Sequence, residues 1–261
     1  MFSPKESPQS NHIRAEHCQI RHADAGQIRG GLCELVQCIM LKRRKQIHGV
    51  PIVLRSNDSG KAFDHITIQS DWKALQAAQP HLSAEDCEYL VTGGSFYRQL
   101  LNFDGMMLHS SAVVRDGKAY LFTAPCGTGK STHTKLWLES FPDAFILNDD
   151  KPALRLEDGM FYAYGTPWSG KTAQNRNIRV ELGGVCVLRR GMANKIVPYK
   201  GRAALHDILE QTIRPRDPEM MKQLLELLDK LMKQVPIWKL ECNMEPEAAF
   251  VSHNAMSGKE I

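Results

Sequence analysis

The stretch from Ala119 to Ser140 leaves this chain few ways to fold. Ala119-Tyr-Leu-Phe-Thr123 is a short apolar run of strand formers,. It leads directly into Ala124-Pro125-Cys126-Gly127-Thr128-Gly129-Lys130-Ser131. The residues from Thr132 to Ser140 then favour a helix that stops before Pro142,. Gly127 and Gly129 suit a tight strand-to-helix turn. Such a turn aims consecutive backbone N–H groups and a helix N-terminus at one point, where an anion is stabilised. The candidate anion-binding residues are therefore Ala124, Pro125, Cys126, Gly127, Thr128, Gly129, Lys130, Ser131 and Thr132.

A literal G-x-x-x-x-G-K-[ST] pattern selects a different segment, Gly165-Thr-Pro-Trp-Ser-Gly170-Lys171-Thr172, because Ala124 replaces the first glycine of the earlier one. Physical requirements reverse that choice. Pro167 lacks an N–H, Trp168 is bulky where backbone must approach phosphate, and the residues that follow make a poor helix. The earlier loop has the strand, the glycines and the helix. In the later segment, strand Phe161 to Tyr164 ends in a Lys-bearing turn. That turn is expected to share the cleft, with Lys171, and Arg176 or Arg179 beside it, steadying anionic charge, and Trp168 serving as a wall or a core anchor.

Two further features surround the loop. Ala144 to Leu147 reads as an apolar strand ending in Asn148-Asp149-Asp150, whose carboxylates can hold magnesium or accept a hydroxyl proton,. Upstream, His109 to Val114 reads as a strand joined to Ala119–Thr123 by a hairpin turn at Asp116-Gly117,. If those two residues make the turn, Arg115 pairs with Lys118 and His109 lands opposite Ala124, at the mouth of the loop.

The rest of the chain is less informative. Val50–Leu54 and His65–Ile68 look like short strands, and the apolar run Leu32–Leu41 ends in Lys42-Arg43-Arg44-Lys45. His17, Cys18 and His22 lack zinc-finger spacing. Ser83 opens a helix Ala84 to Asn102 that Gly93-Gly94 is expected to break,. From Gly201 onward the pattern reads as helical, Arg202 to Thr212 and Pro218 to Gln234. The second of these has a core stripe at Met221, Leu224, Leu225, Leu228, Leu231 and Met232. This divides the 261 residues into a region 1–104 of unclear role and a core 105–261. Seven cysteines without a C-x-x-C pair signal neither a disulfide framework nor zinc,. A net charge of +4 is far from that of a nucleic-acid binder,. No apolar run approaches the ~20 residues of a membrane span. The expectation is a cytoplasmic protein without nucleic-acid or membrane partners.

Leu108-His-Ser-Ser-Ala112, Thr123-Ala-Pro-Cys-Gly-Thr-Gly-Lys-Ser-Thr-His-Thr134, Asn148-Asp-Asp-Lys-Pro152 and Gly165–Lys171 together resemble HPr kinase/phosphorylase, in particular the HPr-kinase-related proteins of bacterial peptide-modification clusters. More distantly they resemble PEP carboxykinase. The resemblance spans about Met106 to Leu188. It implies an α/β P-loop kinase core in which a mixed sheet sends an antiparallel hairpin into the phosphate loop. It also implies MgATP as cofactor, with Lys130 on the β- and γ-phosphates and Ser131 on magnesium. Asp149 would be the general base and Asp150 its companion at the metal, or the reverse, with His109 near the transferred group. The expected catalytic set is thus Asp149, His109, Lys130 and Lys171, and the metal set Ser131 and Asp150. The implied reaction is ATP-dependent phosphorylation of a serine or threonine on a peptide or small protein, by a chain that can form a homo-oligomer. A small-molecule alcohol kinase, or a nucleotide-binding regulator or ATPase without an acceptor, are the alternatives. The family's glycine-rich signature with a glutamate has no counterpart here; Tyr164–Lys171 occupies that region.

Overall fold

A computed structural model describes residues 66, 68, 71–172 and 174–258. The N-terminal features, from His17 through the basic cluster to Val50–Leu54, lie outside these residues, as do most of His65–Ile68. Ile66 and Ile68 are buried but belong to no regular element.

The Asp116-Gly117 turn forms as the sequence demands. Strands β1 (Gly105–Met107), β2 (Ser110–Arg115) and β3 (Lys118–Thr123) come first, and β2 and β3 pair antiparallel with Arg115 opposite Lys118 and Ser110 opposite Thr123. Asp116 and Gly117 take φ of 52° and 73°, the left-handed pair that matches strand twist in a two-residue hairpin,. Strands β4 (Phe145–Asn148), β5 (Ala153–Glu157), β6 (Met160–Tyr164), β7 (Arg179–Arg190), β8 (Lys195–Pro198) and β9 (Ile237–Cys242) complete a mixed sheet. β2 lies between β3 and β4, while β3, β7 and β9 are successive parallel neighbours. β7 is long enough to serve two partners along one edge: Arg179–Glu181 pair with β6 and Val185–Arg190 with β9.

Alternation along the strands creates two apolar faces. Val113, Tyr120, Phe122, Cys186 and Leu240 face Leu136 and Trp137 of helix Lys130–Ser140, and Ala248, Ala249 and Met256 of helix Glu247–Ser257. Ala112, Val114, Leu121, Val185 and Val187 face Ile208 of helix Gly201–Leu209, and Leu224, Leu227, Leu228 and Leu231 of helix Pro218–Gln234. The result is a helix–sheet–helix sandwich. In chain order the helices are α1 (Trp72–Ala78), α2 (Ala84–Leu100), α3 (Lys130–Ser140), α4 (Gly201–Leu209), α5 (Pro218–Gln234) and α6 (Glu247–Ser257), with a 3-10 turn at Leu101–Phe103 after α2.

Three expectations need correction. α2 runs unbroken through Gly93-Gly94; a Cβ at Gly93 would lie 2.8 Å from Trp168 Nε1, so this glycine admits a tryptophan rather than ending a helix,. The C-terminal third is not all helix, because Ile237-Trp-Lys-Leu-Glu-Cys242 alternates and is captured as β9 by the exposed edge of β7. In α5 the core stripe uses Leu227, and Leu225 is exposed.

Candidate functional site

The glycine loop joins β3 to α3. Gly127 and Gly129 adopt φ of 77° and 123°, and Gly129 opens α3 with no side-chain cap, so the first-turn N–H groups keep no side-chain acceptor,. Lys130, mostly buried, donates from Nζ to Ala124 O at 2.9 Å, folding back across the loop. Burial pulls its pKa below the usual lysine value, and Cys126, Asp150 and Asp149 oppose that shift. Ser131 and Cys126 are exposed. Backbone N–H groups at a strand-to-helix turn of this kind can bind an anion. Among the described residues no group of three or more His, Cys, Asp or Glu side chains is assembled as a metal cage. A magnesium held through nucleotide phosphates needs only one or two carboxylates.

β4 ends beside the loop because β2 bridges the two. Asp149 is buried and accepts from Ser111 Oγ at 2.6 Å. Ser111 Oγ in turn lies 2.8 Å from Thr134 Oγ1, one turn along α3 from Lys130. Asp149 is thereby tied to the helix turn that carries Ser131. Asp150 points elsewhere. Its Oδ1 lies 3.2 Å from His109 Nε2, and its other oxygen pairs with Lys151. Burial pushes its pKa up, but hydrogen bonds from His109 and Lys151 outweigh burial and leave it below the ordinary carboxylate value,. His109 is oriented from behind by Gln211, whose carbonyl accepts from His109 N at 2.8 Å and whose Oε1 lies 3.1 Å from Nδ1. Asn148 sets the turn, its Oδ1 accepting from Asp150 N and Lys151 N at 3.0 and 2.7 Å,.

The loop after β6 closes over this turn. Asn148 Nδ2 donates to Thr166 O at 2.9 Å, and Thr166 Oγ1 and Tyr97 OH both donate to Lys151 O. A Cβ on Gly170 would lie 3.0 Å from Asp150 Cβ, so the loop does touch the carboxylate. Trp168 is a core anchor. It stacks on Phe96 with centroids 5.1 Å apart and donates to Tyr89 O at 3.0 Å. Lys171, which follows Gly170, is exposed. The other two cations are diverted: Arg176 lies on the Phe145 ring and Arg179 pairs with Glu157 at 2.6 Å, so neither is aimed at the cleft. Beyond the loop, Asn175 bridges to Asn148 and Arg176 N donates to Leu147 O at 2.9 Å, covering the edge of β4 that β2 leaves open.

Asp149, Asp150, His109, Lys130 and the glycine loop thus meet at one sheet edge. Sequence reasoning missed Ser111, Thr134, Lys151 and Gln211. One was signalled by spacing: Thr134 lies one helical turn after Lys130.

Comparison with solved structures finds similarity to the HPr(Ser) kinase/phosphatase from Coxiella burnetii. It covers 57% of this chain and 95% of that one, with 13% identity and a TM-score of 0.33. No protein-family model matches the chain, and no curated protein matches it. No helix among the described residues is long and apolar enough to cross a membrane.

Proposed function

We propose that this chain is an ATP-dependent phosphotransferase that phosphorylates a serine or threonine hydroxyl on a peptide or small protein. The observation that carries the reading is the division of labour between adjacent carboxylates. Asp149 is tied through Ser111 and Thr134 to the first turn of α3, whereas Asp150 is paired with His109 and Lys151 on the open side. Bound MgATP would supply the phosphoryl group. The glycine-loop N–H groups and Lys130 would hold the phosphates, and Ser131 with Asp149 the magnesium. Asp150, kept ionised, orients the acceptor hydroxyl and takes its proton. His109, positioned by Gln211, holds Asp150 in place through its Nε2 contact,. This exchanges the roles first expected for the two aspartates. Lys171 steadies an acidic acceptor.

Incubation with γ-labelled MgATP and a library of Ser/Thr peptides tests the proposal. Label moving to peptide hydroxyls supports it; release of labelled phosphate alone, with every acceptor, refutes transfer in favour of an ATPase.

A further inference from the structure

Two exposed apolar side chains, Met192 at 96% and Met244 at 75% exposure, lie just past the carboxyl ends of β7 and β9. Because β9, β7 and β3 are successive parallel strands, the loops bearing these methionines and the glycine loop stand side by side on one sheet edge. The methionine loops are braced. Gly191 N donates to Cys242 O at 2.9 Å, Asn243 Nδ2 to Met192 O at 3.3 Å, Asn243 N to Asn194 Oδ1 at 3.1 Å, and Asn194 Nδ2 to Glu247 Oε2 at 2.8 Å. Arg190, the last residue of β7, donates to Gly127 O at 2.6 Å and Thr128 O at 3.3 Å, fastening this corner to the glycine loop. Among the described residues, two methionines held out to solvent on braced loops present exposed apolar, polarisable surface,.

Direction identifies the occupant. Asp149, Asp150 and His109 all lie on the β2–β4 side of the glycine loop. A triphosphate whose terminal phosphoryl faces Asp150 must carry its other end the opposite way, over β7 and β9. We infer that Met192 and Met244 seat the nucleobase, their thioethers packing on its flat aromatic face. The amides of Asn194 and Asn243 brace the loops and do not read the base edge. The inference rests on the proposed nucleotide reading and adds to it the place and chemistry of base recognition.

The test is calorimetric titration of the full chain and its Met192→Ser/Met244→Ser variant with MgATP and with magnesium tripolyphosphate, which has the phosphates but no base. Both positions are exposed, so the variant keeps its fold. The inference predicts about tenfold weaker MgATP binding in the variant and unchanged tripolyphosphate binding, since only the base loses its two thioether contacts. Unchanged MgATP affinity, or equal losses for both ligands, would overturn it. If the unaltered chain binds tripolyphosphate no better than Lys130→Ala does, the phosphate reading itself fails and this inference falls with it.

Discussion

His133 makes stability depend on pH in a way that one variant can isolate. Its ring is buried between Phe122, 4.4 Å away centroid to centroid, and Ser252 of α6. Ser252 donates its hydroxyl proton to Ala248 O and accepts from Trp137 Nε1 at 2.8 Å, so it accepts a second hydrogen bond from His133 Nε2–H at 3.0 Å. That leaves Nδ1 bare and without a hydrogen-bond partner. Protonating it would bury a charge with nothing to receive the new N–H, and burial accordingly lowers the pKa from 6.5 to about 4,. The native state stays neutral over this range while the unfolded chain takes up a proton. Stability from this group is therefore complete above pH 6.5 and is lost as pH falls toward 4. At about 1.4 kcal/mol per pKa unit the loss amounts to about 3 kcal/mol. Urea unfolding at intervals from pH 7 to pH 4 should show the unaltered chain losing that much more stability than His133→Phe, which keeps an aromatic ring and cannot titrate. Other groups contribute equally to both proteins. Parallel pH profiles would refute the burial argument.

Gly165→Ala should unfold at clearly lower temperature in a thermal melt. The added Cβ would fall 1.8 Å from Arg176 O and 2.8 Å from Leu147 O, prising residues 174–176 off β4; an unchanged Tm would mean that edge is not so packed,. In steady-state kinetics Asp150→Asn should lower kcat by about 10²–10⁴-fold, while Asp149→Asn mainly raises the magnesium concentration needed for half-maximal rate; the opposite pattern would return the base role to Asp149. Lys171→Met should raise the KM for an acidic acceptor several-fold with little change in nucleotide affinity, and unchanged constants would make this lysine a bystander.

The elements legible in the sequence are those set by local chemistry. The Asp116-Gly117 hairpin, the loop glycines and the span of α5 follow from backbone preference and period, and each forms where it was read. The same turn signal at Asp158-Gly159 was overlooked, although its φ values of 49° and 79° build the β5–β6 hairpin. β9 was hidden because its strand state depends on an edge of β7 supplied from some fifty residues earlier, information that no local window contains. Gly93 misled for the mirror reason: its small size serves Trp168, a distant partner, rather than its own helix. In the site, residue types announced the carboxylates and the lysine. Which carboxylate faces which neighbour was set by Asn148, Gln211 and Ser111, whose roles exist only once β2, β4 and α4 have been brought together.

The central claim is that Ala124–Ser131, rather than the literal pattern match at Gly165–Thr172, holds the nucleotide phosphates. Calorimetric titration of MgATP into Lys130→Ala and Lys171→Ala, each checked for folding by circular dichroism, tests it directly. The account predicts that binding is lost or severely weakened in Lys130→Ala and retained in Lys171→Ala. Retained binding in the first variant with loss in the second would contradict it.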